Sequence, residues 1–106
     1  MQFGLKNKEI ELLKSAFKRF PQIKKVFIYG SRAQDSFKKT SDIDLAIEFK
    51  EGSKYSRALI QNVLSELPLI YTIDLLDEKE IFSTNFKREY QKNKRIFYQK
   101  NVSLKK

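Results

Sequence analysis

The sequence predicts a small α/β (α+β) domain: a mixed β-sheet with helices packed on one face. Three observations carry that prediction. Apolar residues recur at helical and then at strand spacing, in the order α-β-α-β-α-β-α, along 106 residues, a length that builds one core. Acidic residues sit inside two of the strand candidates, on the side their apolar neighbours leave open. Positive charge gathers late in the chain: residues 87–106 hold eight Lys/Arg against one Glu, a net +7, while the rest carries +2 of the total +9.

Residues 5–20 read as an amphipathic helix, with Leu5, Ile10, Leu13, Phe17 and Phe20 near helical spacing, and Pro21 ends it. Residues 23–29 (IKKVFIY) are β-branched and aromatic, a strand that stops at Gly30. Residues 31–36 can begin a short helix, and 38–41 form a polar turn. Residues 42–49 alternate, with Ile43, Leu45, Ile47 and Phe49 on one face and Asp42, Asp44, Ala46 and Glu48 on the other. Gly52 and Ser53 break this pattern. Helical spacing resumes over residues 55–67 through Ala58, Leu59, Val63, Leu64 and Leu67, and Pro68 closes it.

A third strand is expected over residues 69–76 (LIYTIDLL), with Tyr71, Ile73 and Leu75 opposite Thr72, Asp74 and Leu76. Residues 77–93 read as mostly helical, with room for two helices, and 96–98 as a short edge strand. The whole chain, 1–106, is expected to form a single domain, its core spanning about 5–98 and a basic tail about 99–106.

Composition excludes several chemistries. Without Cys or His, the chain forms no disulfide, thiolate zinc site, cysteine nucleophile or imidazole base. A catalytic metal would have to be held by oxygen, which favours Mg²⁺, Mn²⁺ or Ca²⁺. The opening MQFGLKNKEIELLKS has no long apolar run, so neither a signal peptide nor a membrane span is expected, and a cytoplasmic protein is. The basic C-terminal stretch, residues 87–106, is either a solvated face or an attraction for an anionic partner, nucleic acid or acidic protein.

Asp42 and Asp44, two residues apart on a strand, point the same way. Like charges held that close repel, and a cation between them removes the penalty. Asp74 has the matching parity on the third strand. If that strand neighbours the second, three carboxylates meet in one patch, a donor set suited to one or two Mg²⁺ ions completed by water and phosphate. The alternative is three acids facing solvent. Gly30-Ser31, between a strand and a helix start, lets backbone N–H groups and a hydroxyl approach a phosphate, although a strand-ending Gly also serves as a plain turn. Arg32 can pair with a phosphate oxygen or cap the surface.

Together, GSRA at residues 30–33, the ten residues separating Gly30-Ser31 from Asp42-Ile43-Asp44, and the downstream IDLLD resemble the DNA polymerase β-type nucleotidyltransferase superfamily. The similarity is closest over residues 23–77. Size places the chain near the minimal nucleotidyltransferases of that superfamily, usually antitoxins paired with a HEPN-domain toxin. The resemblance implies that Asp42 and Asp44 ligate two Mg²⁺ ions (Mn²⁺ as a substitute). It implies that Asp74 ligates the catalytic ion and helps activate the acceptor hydroxyl, and that Gly30 and Ser31 hold the β,γ-phosphates of ATP. AMP would pass from ATP to a tyrosine of the HEPN partner, since the chain has no room for an acceptor-binding helical domain.

Two rival readings remain at this stage. One is transfer to RNA or a small molecule, with Phe86, Tyr90, Phe97 and Tyr98 as RNA contacts; the other is an antitoxin that only blocks its partner. One departure stands out: where the family commonly carries Gly, this chain has Gln34-Asp35. Asp tolerates the left-handed conformation better than most residues.

Overall fold

The computed structural model describes residues 2–100; residues 101–106, most of the expected basic tail, lie outside that range. Helix α1, Asn7–Lys18, starts where the Glu9 side chain accepts the Lys6 N–H at 2.8 Å. It stops just before Pro21, which cannot continue it. Strand β1 is Ile23–Tyr29, with the bounds the sequence predicts. A single 3₁₀ turn, Gly30–Arg32, and an irregular stretch lead to strand β2, Ile43–Phe49.

Helix α2, Arg57–Ser65, is capped by Ser56, whose hydroxyl accepts the Leu59 N–H at 3.2 Å. Strand β3, Ile73–Asp77, runs into a second 3₁₀ turn, Glu78–Glu80. Helix α3, Thr84–Asn93, begins on the Ser83 cap, and strand β4, Arg95–Gln99, ends the described chain. Among the described residues no helix is long and apolar enough to cross a membrane.

The sheet is mixed, as expected, in the order β3-β2-β1-β4. β1 pairs antiparallel with both β2 and β4, and β2 pairs parallel with β3. Helix α2 makes the crossover that a parallel pair requires. On one face Ile10, Leu13 and Phe17 of α1 and Ile60 and Leu64 of α2 pack on Val26, Ile28, Ile43, Leu45 and Ile47. Each such side chain contributes about 1.5–3 kcal/mol of burial.

Two expectations are amended. The helices do not all share one face: α3 lies on the other, where Tyr90 and Ile81 pack on Phe27, Tyr29 and Ala46. Ala46, on the polar face of the alternation, is fully buried for that reason. The third strand is also shorter than residues 69–76. Leu69–Thr72 approach the sheet as an irregular segment, and Ile70 is 89% exposed. Pairing with β2 begins only at Ile43, whose own N–H is taken by the Thr72 carbonyl at 2.9 Å.

Candidate active site

β3 neighbours β2, and their register sets Asp44 directly beside Asp74. Parallel neighbours lie about 4.8 Å apart with paired side chains on one face, so the two carboxylates stand side by side. Asp42 is the residue just ahead of β2 and precedes Asp44 by two. On the other side Tyr29, the last residue of β1, faces Asp44 across the antiparallel ladder. Because β1 ends where β2 begins, Gly30 arrives against the same carboxylate.

Gly30 has φ +74°, and a Cβ there would stand 2.5 Å from Asp44 Oδ2. Only glycine permits both the turn and the approach. Gly30→Ala is therefore expected to lower stability by about 2 kcal/mol and to displace Asp44, measured as a fall in urea midpoint. Beyond Gly30 the chain turns tightly, as the Ser31 carbonyl accepts the N–H groups of Gln34 and Ser36.

The electrostatics of the patch are those of crowded acids. Burial, then Asp74 and then Asp42 push the Asp44 pKa up to about 6, with Arg32 opposing them. Burial and two neighbouring carboxylates, Asp44 and Asp74, raise Tyr29 as well, so its hydroxyl stays protonated. Among the described residues no three acidic side chains close into a ready-made metal cage. The donor set still fits a divalent cation: oxygen ligands only, mutual repulsion that a cation relieves, and space kept open by a glycine. Asp74 itself is exposed, which leaves it accessible to an incoming group.

Arg32 departs from its expected role among the phosphate ligands. It is 1% exposed, and its guanidinium is occupied by main-chain carbonyls. Nη1 donates to Phe3 O at 2.9 Å, Nη2 to Ser41 O at 2.9 Å and Lys39 O at 3.4 Å, and Nε to Ser41 O at 3.3 Å. The rings of Phe37 and Tyr71 lie against it, at 5.3 and 4.8 Å. Gly4, at φ +72°, gives it room: a Cβ there would lie 2.8 Å from Nη1. Arg32 thus ties the Gly30-Ser31 turn to the loop that delivers Asp42. It positions the site from behind.

Asp35 adopts φ +59°, the left-handed backbone inferred for the position where the family carries glycine. Asp35→Gly is expected to raise the melting temperature slightly, by about 1 kcal/mol or less in stability, without loss of activity. Tyr29 is the residue that the sequence reading missed. Its signal was parity, since it shares the Phe27 side of β1 and precedes Gly30. A hollow of about 170 Å³ opens from Gly30 between Tyr29, Gln34, Phe86 and Asn93.

Residues 11–103 match the family described as polymerase beta, nucleotidyltransferase. The chain belongs to this family. The nucleotidyltransferase is 32% identical over 77 residues to a Haemophilus influenzae protein named protein adenylyltransferase MntA, covering 72% of this chain and 68% of that protein. It is 30% identical over 87 residues to a Methanocaldococcus jannaschii protein also named as a protein adenylyltransferase, covering 81% and 84%.

Among solved structures, the nucleotidyltransferase resembles a Sulfolobus solfataricus nucleotidyltransferase at 29% identity and TM-score 0.53, over 86% of this chain and 77% of that one. A toxin-antitoxin structure with AMP-PNP shares the fold at TM-score 0.65 and 20% identity, over 92% and 76%.

Proposed function

We propose that this nucleotidyltransferase transfers AMP from ATP to a hydroxyl, a tyrosine's, on a HEPN-type toxin and so serves as that toxin's antitoxin. The observation that carries the transfer reaction is the register of Asp44 beside Asp74, with Gly30 against Asp44, in a chain of this family. Protein as the acceptor is supported by the two relatives named as protein adenylyltransferases.

Asp42, Asp44 and Asp74 would hold Mg²⁺, with Mn²⁺ as a substitute; when bound, the ion neutralises charge on the attacking and leaving oxygens of an in-line displacement. Gly30 and Ser31 seat the β,γ-phosphates at the turn after β1, where backbone N–H groups are free to face an anion. The exposed Asp74 carboxylate receives the proton of the acceptor hydroxyl as its oxygen bonds to the α-phosphorus. The bond from that phosphorus to the bridging oxygen breaks, and pyrophosphate leaves. The remaining contribution of the chain is positioning and charge stabilisation.

The test is co-expression with a HEPN protein encoded beside it, followed by incubation with ATP and Mg²⁺ and intact mass measurement of the partner. A gain of one or more AMP units, absent with Asp42→Ala/Asp44→Ala, supports the proposal. An unchanged partner mass with both proteins sinks it. Label from ATP found instead on RNA or a small molecule would redirect the acceptor assignment, and full neutralisation by the mutant would mean steric blocking.

A further inference from the structure

β4 is an edge strand: among the described residues nothing pairs with its outer side. The Lys100 N–H donates to Lys24 O at 3.1 Å, and Lys25 stands opposite Gln99. Antiparallel alternation therefore turns the N–H and C=O of Gln99 away from the sheet. Two hollows flank this edge, and Gln99 lines both. One, about 580 Å³, is bordered by Lys14 and Lys18 of α1 and by Arg95. The other, about 270 Å³, is bordered by Lys24, Lys25, Lys50 and Lys100, with Glu51 its single acid.

Lys24 is neutralised by Glu48 at 3.5 Å. Among the described residues the other six cations have no acidic side chain within 4.0 Å. Lys50 and Lys100 are close enough that contact with Lys50 pulls the Lys100 pKa down. Arg95 and Lys100 sit at the two ends of the bare strand itself, Lys14 and Lys18 on the helix beside it, and Lys25 and Lys50 at the neighbouring strand ends, a positive field complementary to an anionic ligand that is itself extended.

We propose that the β4 edge binds an acidic, extended segment of a partner protein, which adds to the sheet as a fifth strand. Main-chain hydrogen bonds to the edge give affinity, and the segment's alternate acidic side chains, all on one face, reach the hollow bordered by Lys14, Lys18 and Arg95. A protein strand fits better than RNA. The aromatics of β4, Phe97 and Tyr98, are buried in the core, and the half-buried Phe3 already carries Arg95 on its ring at 5.2 Å, which leaves no open stacking platform. Ile96 is 52% exposed and offers an apolar contact at the start of the edge instead. β1 separates this edge from the carboxylates of β2 and β3, and the hollow around Lys24 and Lys25 lies at the opposite end of β1 from them.

The probe is a fluorescent peptide alternating glutamate with valine, titrated into the full chain and read by anisotropy. A second peptide carries N-methyl groups on alternate amides, and a single-stranded RNA of equal charge completes the set. Binding of the first peptide is expected, weakened about tenfold by Lys14→Glu/Lys18→Glu and abolished by N-methylation on the edge-facing register. Both lysines lie on the surface of α1, and a melting curve verifies that the variant folds. Asp74→Asn should bind the peptide like the parent chain. Absence of peptide binding overturns the proposal. So does tighter binding of RNA, or peptide binding that ignores N-methylation, since either would reduce the edge to a diffuse positive surface.

Discussion

Asp44→Asn is expected to lower nucleotidyl transfer by a factor of about 10³ or more while making the metal-free protein more resistant to heat near neutral pH. Both effects come from one carboxylate. In the folded chain its pKa lies at about 6, above the ordinary value of 3.8. Between those values the folded state holds a proton that the unfolded chain has released, so stability falls as pH rises through this window. Asparagine has no proton to lose and presents no charge to Asp42 or Asp74.

The melting temperatures of the two proteins should therefore run together at pH 4 and separate in favour of the Asp44→Asn variant by pH 7. Added Mg²⁺ and ATP should close the gap, because only the parent chain gains full binding energy. A variant that transfers AMP at the parental rate would remove Asp44 from the site. Parallel melting profiles from pH 4 to 8 would mean that its neighbours do not crowd it.

Arg32→Ala is expected to cost about 3–4 kcal/mol of stability, because a buried side chain is lost and three main-chain carbonyls lose their donor at once. The urea midpoint should fall with the m-value unchanged. Arg32→Lys should recover only part of the loss, since an ammonium cannot span Phe3, Lys39 and Ser41 as a planar fork does. As Arg32 positions Asp42 and Gly30 without reaching the nucleotide, the Lys variant should lose kcat more than ATP affinity. Unchanged stability with weakened ATP binding would instead put the guanidinium on a phosphate.

Much of the site was legible because strand parity is a strict rule. Asp42, Asp44 and Asp74 have one parity, and one assumption, that β3 lies beside β2, sets Asp44 against Asp74. The Gly30 signal was equally local, a strand end with a backbone that needs a left-handed turn. Arg32 could not be read this way. Its partners Phe3, Lys39 and Ser41 offer main-chain oxygens, which every residue possesses, so their side chains mark nothing in the sequence.

The placement of α3 was hidden for a related reason. Tyr90 and Ile81 announce that something is covered but not which face of the sheet receives them. The run LIY before β3 is apolar enough to read as strand, yet Ile70 finds no neighbour to pair with. The basic hollows beside β4 join α1 to a strand about eighty residues later, a proximity that no local pattern encodes.

The brace behind the site has a consequence for how substitutions at this enzyme will read. Because the hydrogen bonds of Arg32 go only to peptide oxygens, the side chain at Lys39 can be exchanged without loosening its hold. A scan of residues 38–40 would report a tolerant loop. The same loop would give way to a single change at Arg32, nine residues before its main acceptor. Tolerance at one position and intolerance at another would then be two views of one joint, and a map of permitted residues would hide the joint itself.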